Sequence, residues 1–337
     1  MIASVQFKHF KALRATSVRM EPFNLVIGPN GSGKTSLIQA CLRMRALLRQ
    51  PLPAAGEPPG ARRPDKGPEI VIRFAPPYAD ITVHLGGRTE HSLDFIEVRH
   101  PRTDEGRARW EQLRDWLGGI RAYLFDHYAM AEPVALAEGG ELASNGRNIA
   151  AVLAGMRDHL PDTFRRFEAE FCRALPDFTA VDARWAGEGR VELALRLRED
   201  GEWVTAENIS QGGLYALAVL TLSFAPQPPT VLCLEEADRG VHPRLLREVR
   251  DALYRLSYPE SFGERREAVQ IVATTHSPYL LDLFRDHPEE IVIANKSGRS
   301  ATFERLGDRP ELKAVLGDSS LGDLWFSGIL GGVPEDE

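Results

Sequence analysis

The chain of 337 residues is poor in cysteine, in long apolar runs and in surplus positive charge, and each shortage removes a class of protein. Cys41, Cys172 and Cys233 lie far apart and form no C-x-x-C pair, which argues against a disulfide framework or a zinc site and fits a reducing cytoplasm. No apolar stretch approaches the roughly 20 residues that cross a bilayer, so transmembrane function is excluded and no membrane partner is expected. Residues 1–10 alternate apolar and polar side chains and lack the apolar centre of a signal peptide. There is no internal repeat and no heptad run, which excludes a long coiled-coil arm. The formal net charge of −7 argues against a surface that traps nucleic acid everywhere, while leaving local basic patches open.

What is present is organised around residues 28–35, Gly28-Pro29-Asn30-Gly31-Ser32-Gly33-Lys34-Thr35. They satisfy G-x-x-x-x-G-K-[ST], a pattern in which glycines let consecutive backbone N–H groups turn inward around phosphate oxygens. Lys34 is placed to reach the β- and γ-phosphates, and the Thr35 hydroxyl to ligate Mg²⁺. Context supports the motif: Phe23 to Ile27 is an apolar run suited to a buried strand, and Ser36 to Leu48 has helical apolar spacing without Gly or Pro. The start of that helix adds its dipole to the anion site.

Around this centre, 43% hydrophobic residues suffice for a substantial core. Strands are predicted at Ile2 to Phe10 and Ala15 to Met20, then at Glu69 to Phe74, Ile81 to Leu85 and Leu93 to Arg99, together forming an antiparallel lobe. Lys8 and Lys11 on the first hairpin are either solvated edge charges or contacts to nucleotide or DNA. Residues 51–68, dense in Pro, Gly and Ala, read as a mobile loop. A helix is expected over Arg107 to Leu117, a strand over Ile120 to Phe125, irregular chain over 126–147, helices over Asn148 to Leu160 and Pro161 to Leu175, and strands over Phe178 to Trp185, Val191 to Leu197 and Trp203 to Thr205. Arg157, Arg165, Arg166 and Arg173 are interleaved with acids and read as a solvated helix face.

Three motifs follow. Ser210-Gln211-Gly212-Gly213 opens an apolar helix, Leu214 to Phe224, with Ser210 in an N-cap position. Val231-Leu232-Cys233-Leu234-Glu235-Glu236 is an apolar strand ending in adjacent carboxylates; alternation points them to opposite faces, so one can serve Mg²⁺ while the other acts as general base on the attacking water. Gln270 to Thr274 is a second buried strand leading to Thr275-His276-Ser277-Pro278, and His276 at its carboxyl end reads as a γ-phosphate sensor.

This order of motifs, with Asp238-Arg239-Gly240-Val241-His242-Pro243 and the terminal Leu321-Gly322-Asp323-Leu324-Trp325-Phe326-Ser327-Gly328, resembles the ABC-type ATPase heads of the RecF, SMC and OLD group. It is most similar to the small bacterial RecF-like predicted AAA-family ATPases. The resemblance implies an α/β P-loop NTPase of ABC-ATPase-head type, with a mixed core sheet, flanking helices, an antiparallel β lobe and a small helical insert. The expected divisions are residues 1–120 and 206–337 for the two parts of the head and 121–205 for the insert. It also implies an ATP-sandwiched homodimer in which Glu235 takes the Mg²⁺-side role, Glu236 is the general base and His276 the switch. Ser210 and Gly212 then contact the γ-phosphate held by the partner subunit, and Asp238 lies in the dimer-crossing loop. The chain departs from its relatives in having Glu235 where aspartate is commoner and Gln211 where SMC heads carry glycine. Gln39, inside the helix after the loop, is wrongly placed for the family's metal-contacting glutamine.

The expected function is Mg²⁺-dependent ATP hydrolysis by a dimerisation switch in DNA repair or anti-phage defence, with a separate effector protein or DNA as partner. The competing readings are a nucleotide-dependent scaffold with little turnover, against which Glu236 argues, and a transporter ATPase subunit, which shares the motif order.

Overall fold

The structure, a computed structural model, describes residues 1–49, 67–317 and 319–333. The Pro- and Gly-rich loop expected over 51–68 therefore lies, but for its last two residues, outside the described residues. In chain order the elements are β1 (Ile2–Phe10), β2 (Leu13–Arg19), β3 (Phe23–Ile27), α1 (Lys34–Leu48), β4 (Glu69–Phe74), β5 (Thr82–Gly86), β6 (Phe95–Arg99), α2 (Asp104–Gly118), β7 (Ile120–Tyr123) and α3 (His127–Ala131). Then come β8 (Val134–Ala135), α4 (Ile149–His159), α5 (Pro161–Ala174), β9 (Phe178–Gly187), β10 (Arg190–Leu197), β11 (Trp203–Thr205), α6 (Gln211–Ser223), β12 (Val231–Leu234) and α7 (Pro243–Ser257). The chain ends with β13 (Gln270–Thr274), α8 (Pro278–Asp282), β14 (Ile291–Ser297), β15 (Ser300–Arg305), α9 (Leu312–Leu316) and α10 (Leu321–Phe326).

These elements form two units. The first comprises Met1–Ala122, Pro229–Glu235 and Ala268–Glu337. Its five-stranded sheet, in the order β2-β1-β4-β5-β6, is antiparallel throughout. Its six-stranded sheet runs β15-β14-β3-β13-β12-β7; β14, β3, β13 and β12 are parallel and β15 returns antiparallel to β14. β3, β12 and β13 are buried along their whole length, as parallel strands covered on both faces must be, which is why each reads as an apolar run rather than an alternation. One core joins Val5 and Phe7 of β1, Leu37, Ile38 and Cys41 of α1, Cys233 of β12 and Val272 of β13. The registers Leu234↔Ala273 and Thr274↔Val26 bring the carboxyl ends of β3, β13 and β12 to one sheet edge. In a parallel sheet that edge is where ligands bind.

The second unit comprises Tyr123–Pro228 and Glu236–Glu267. β10 carries β9, β11 and the short β8. Residues 126–147, expected to be irregular, contain α3 and β8. α3 is a five-residue helix started by the Asp126 carboxylate, which accepts from the N–H groups of Tyr128 and Ala129, and β8 is two residues paired with Arg190 and Val191. Both are too short to show a period. α5 buries Phe164, Phe167 and Phe171 on one face, and Phe167 meets Phe224 edge-on with centroids 5.9 Å apart. α6 is buried from Gly212 to Ser223, whereas α7 buries one stripe, Leu246, Val249, Ala252, Leu253 and Leu256, with Ser257 at its end. Three of the arginines of α4 and α5 are paired with acids, Arg157 with Asp158 and Asp182, Arg165 with Asp162, and Arg173 with Glu170 and Glu248, while Arg166 lies over the Phe224 ring at 5.9 Å. Among the described residues no helix is long and apolar enough to cross a membrane.

Candidate active site

β3 delivers the chain to the phosphate loop at Gly28, which has φ 147°, and the loop continues through Gly31 at φ 75° and Gly33 at φ 91°. Space as well as dihedral demands glycine here. A Cβ on Gly28 would stand 2.3 Å from the carbonyl oxygen of Ala294, and one on Gly33 2.6 Å from Leu13 Cδ2. The N–H of Ser32 donates to the Pro29 carbonyl at 3.3 Å and closes the turn. No side chain caps the start of α1, so its first N–H groups retain their positive end for an anion.

Lys34 is buried, and its ammonium turns back on its own loop, donating to the carbonyls of Gly28 at 2.7 Å and Pro29 at 2.9 Å. The Ser32 hydroxyl is fully buried and has no hydrogen-bond partner among the described residues. Buried polar atoms are nearly always paired, so an orphaned hydroxyl inside a phosphate cradle fits a site that an anion completes. Thr35 is exposed, and its hydroxyl donates to Glu235 Oε2 at 3.3 Å, 200 residues further along the chain. A hydroxyl beside one carboxylate suits Mg²⁺, which takes one or two carboxylates and fills its other positions with water and phosphate oxygens. No larger cluster of potential metal ligands occurs among the described residues. His276 is exposed just past β13, held in a tight turn in which the N–H of Ser277 donates to Thr275 Oγ1 at 3.0 Å and Ser277 caps α8. Gln39 accepts a hydrogen bond from the Lys11 ammonium.

The other residues singled out by sequence belong to the second unit, which takes over between Glu235 and Glu236. Glu236 is exposed at φ 53°, a left-handed conformation that is uncommon for a residue other than glycine, asparagine or aspartate. Arg239 N–H donates to the Glu236 carbonyl at 2.9 Å and Val241 N–H to that of Asp238 at 3.0 Å, so 236–241 is a pair of successive turns. Ser210 caps α6 by accepting from Gly213 N–H at 3.2 Å. Gly212 packs so close to the second turn that a Cβ there would stand 2.5 Å from the Gly240 carbonyl oxygen. Ser210, Gly212, Glu236 and Asp238 are thereby held on two touching turns.

One residue escaped the sequence reading. Tyr215 is buried on α6 with no hydrogen-bond partner for its hydroxyl among the described residues. Burial, and after it the charges of Asp238 and Glu236, push its pKa well above the usual phenol value. The available signal was a lone hydroxyl in the apolar run Leu214-Tyr215-Ala216-Leu217.

The sequence family described as "AAA domain, putative AbiEii toxin, Type IV TA system" matches residues 72–282, more than half of the chain. No curated protein matches at a significant level. Among solved structures, the SMC head domain from Thermotoga maritima superposes with a TM-score of 0.50 at 13% identity, covering 90% of this chain and 98% of that one. An SMC head crystallised bound to the C-terminal winged-helix domain of ScpA superposes with a TM-score of 0.58 at 13% identity, covering 90% and 97%. The fold is that of the ABC-type ATPase head.

Proposed function

The chain belongs to this AAA-domain family, and from that premise we propose that it binds and hydrolyses ATP with Mg²⁺, closing as a dimer of heads around the nucleotide. The observation that carries the reading is the contact of Thr35 with Glu235 at the mouth of a glycine cradle that holds a buried lysine and an orphaned serine hydroxyl. Residues Gly28 to Lys34 hold the phosphates. Lys34 exchanges its two carbonyl acceptors for phosphate oxygens, and the Ser32 hydroxyl gains the partner it lacks. Thr35 and Glu235 hold Mg²⁺, whose chemistry is to neutralise charge on the phosphates. Glu236 accepts the proton of the attacking water, and His276 reads the presence of the γ-phosphate from the sheet edge. Ser210 and Gly212, with the dipole of α6 behind them, address the nucleotide of the opposing copy, and Asp238 lies in the loop that crosses between copies.

The family description names a putative toxin of a type IV toxin–antitoxin system. We therefore favour a defence setting over DNA repair, with a separate effector protein or DNA as the object of the switch. The test is nucleotide titration and sizing of the parent, Lys34→Ala and Glu236→Gln. Lys34→Ala is expected to lose ATP binding. Glu236→Gln is expected to keep it, to hydrolyse little and to accumulate as an ATP-bound dimer. Hydrolysis by Glu236→Gln at the parental rate removes the general-base assignment.

A further inference from the structure

Lysine is scarce beside arginine in this chain, and the lysines near the phosphate loop differ in what they hold. Lys8 pairs with Glu69 at 3.5 Å, Lys11 donates to Gln39, and Lys34 donates to the Gly28 and Pro29 carbonyls. Lys296 has neither a carboxylate nor any other acceptor among the described residues.

Lys296 stands near the end of β14, the neighbour of β3. Strand alternation puts Ala294 and Lys296 on one face and Asn295 and Ser297 on the other. Ala294 is buried in the core that contains Leu13, Leu37 and Ile38, so Lys296 leaves the sheet on the side of α1 and the phosphate loop. Its Nζ comes to 3.4 Å from the position a Cβ would take on Gly31. The opposite face of the strand end is anchored: Asn295 Oδ1 accepts from Gly332 N–H at 2.7 Å, and the Trp325 indole donates to the Gly332 carbonyl at 3.1 Å.

A second ammonium thus lies beside Gly31 of a loop that already presents Lys34 and a helix start without a side-chain cap. Two ammonium groups at one loop repel each other less where an anion lies between them. We propose that Lys296 is a further nucleotide-binding residue, a second ammonium that reaches from β14 to the polyphosphate lying on the loop at Gly31. This rests on the ATP-site reading above. It adds to the loop motif a phosphate contact from a strand more than 260 residues further along the chain.

The test is calorimetric titration of MgATP and MgADP into the parent, Lys296→Ala, Lys296→Arg and Lys34→Ala, with the melting temperature of each free protein. Lys296→Ala is expected to weaken both nucleotides about 10-fold, the scale of one charge-assisted hydrogen bond at a solvent-accessible site. Lys296→Arg should keep most of the affinity, and neither substitution should lower the melting temperature of the free protein. Salt should weaken MgATP binding less steeply in Lys296→Ala than in the parent, because one ionic contact is gone. Unchanged affinity in Lys296→Ala, with binding lost in Lys34→Ala, overturns the role of Lys296 and leaves the ATP site standing. A lowered melting temperature with equal losses for Ala and Arg marks a packing role and also overturns it. Failure of the parent to bind either nucleotide removes the ATP-site reading itself.

Discussion

At the scale of single residues, the proposed general base Glu236 would set function against stability. Its φ of 53° places a side chain where a Cβ crowds the following carbonyl, at a cost of about 1–2 kcal/mol. Glycine would remove that strain while adding about 0.4–1 kcal/mol of unfolded-state entropy. Glu236→Gly is therefore expected to melt at or slightly above the parental temperature while losing ATP turnover, a combination read by thermal melting and phosphate release on the same samples. The Glu236 ion pair with Arg239 is long, 3.8 Å, and half-exposed, so its loss offsets little of the gain. A clear drop in melting temperature would mean that contacts of the side chain outweigh the backbone strain. Lys34 is the opposite case: its ammonium donates to two loop carbonyls, so Lys34→Ala would leave these oxygens without their donor as well as the proposed phosphates without their cation.

At the scale of elements, α6 carries a glycine for space rather than for flexibility. Alanine is favoured over glycine inside a helix by about 1 kcal/mol, so Gly212→Ala would stabilise an isolated α6. In the folded chain the new methyl meets the Gly240 carbonyl at 2.5 Å and Val241 Cα at 3.1 Å, both backbone atoms that cannot rotate away. Gly212→Ala is accordingly expected to destabilise by about 1–3 kcal/mol, seen as a lower urea midpoint, and to shift the turn carrying Asp238. α5 depends on its aromatic face in the opposite way. Phe167 is wholly buried and touches Phe164, Phe171 and Phe224, so Phe167→Ala should lower unfolding free energy by about 3–5 kcal/mol. In the six-stranded sheet β3, β12 and β13 were legible because burial on both faces leaves an uninterrupted apolar run, whereas the sequence reading placed no strand at β14, buried only from Ile291 to Ala294, or at β15, whose burial alternates. α3 and β8 were not legible, because one capping aspartate and two paired residues hold them.

At the scale of the whole molecule, the proposed shared site predicts behaviour that a self-contained enzyme would not show. Ser210 is exposed at the start of α6, and an arginine there places a cation at the positive end of the helix, where the opposing phosphate would lie. Ser210→Arg should bind ATP as a monomer nearly as the parent does and should neither dimerise nor turn over. Mixing it with Lys34→Ala subunits allows one composite site with both faces intact, and partial recovery of ATPase activity is the expected outcome. Full activity of Ser210→Arg alone, at dilutions where the protein is monomeric, would rule out sharing between copies.

The sequence by itself determined the fold class and the local conformation of each motif. A glycine cradle, a capped helix start and an apolar strand ending in carboxylates are contiguous stretches whose periodicity and composition state their conformation directly. The order of those stretches further implied that the carboxyl ends of β3, β12 and β13 share one sheet edge, as their registers show. Only the tertiary structure decided which distant groups meet. The hydrogen bond from Thr35 to Glu235, the approach of Gly212 to Gly240, the buried hydroxyls of Ser32 and Tyr215 that lack a partner among the described residues, and the approach of Lys296 to Gly31 all depend on strand order and packing distance. No local pattern encodes them, because each is a relation between backbones that the chain brings together only when its core closes.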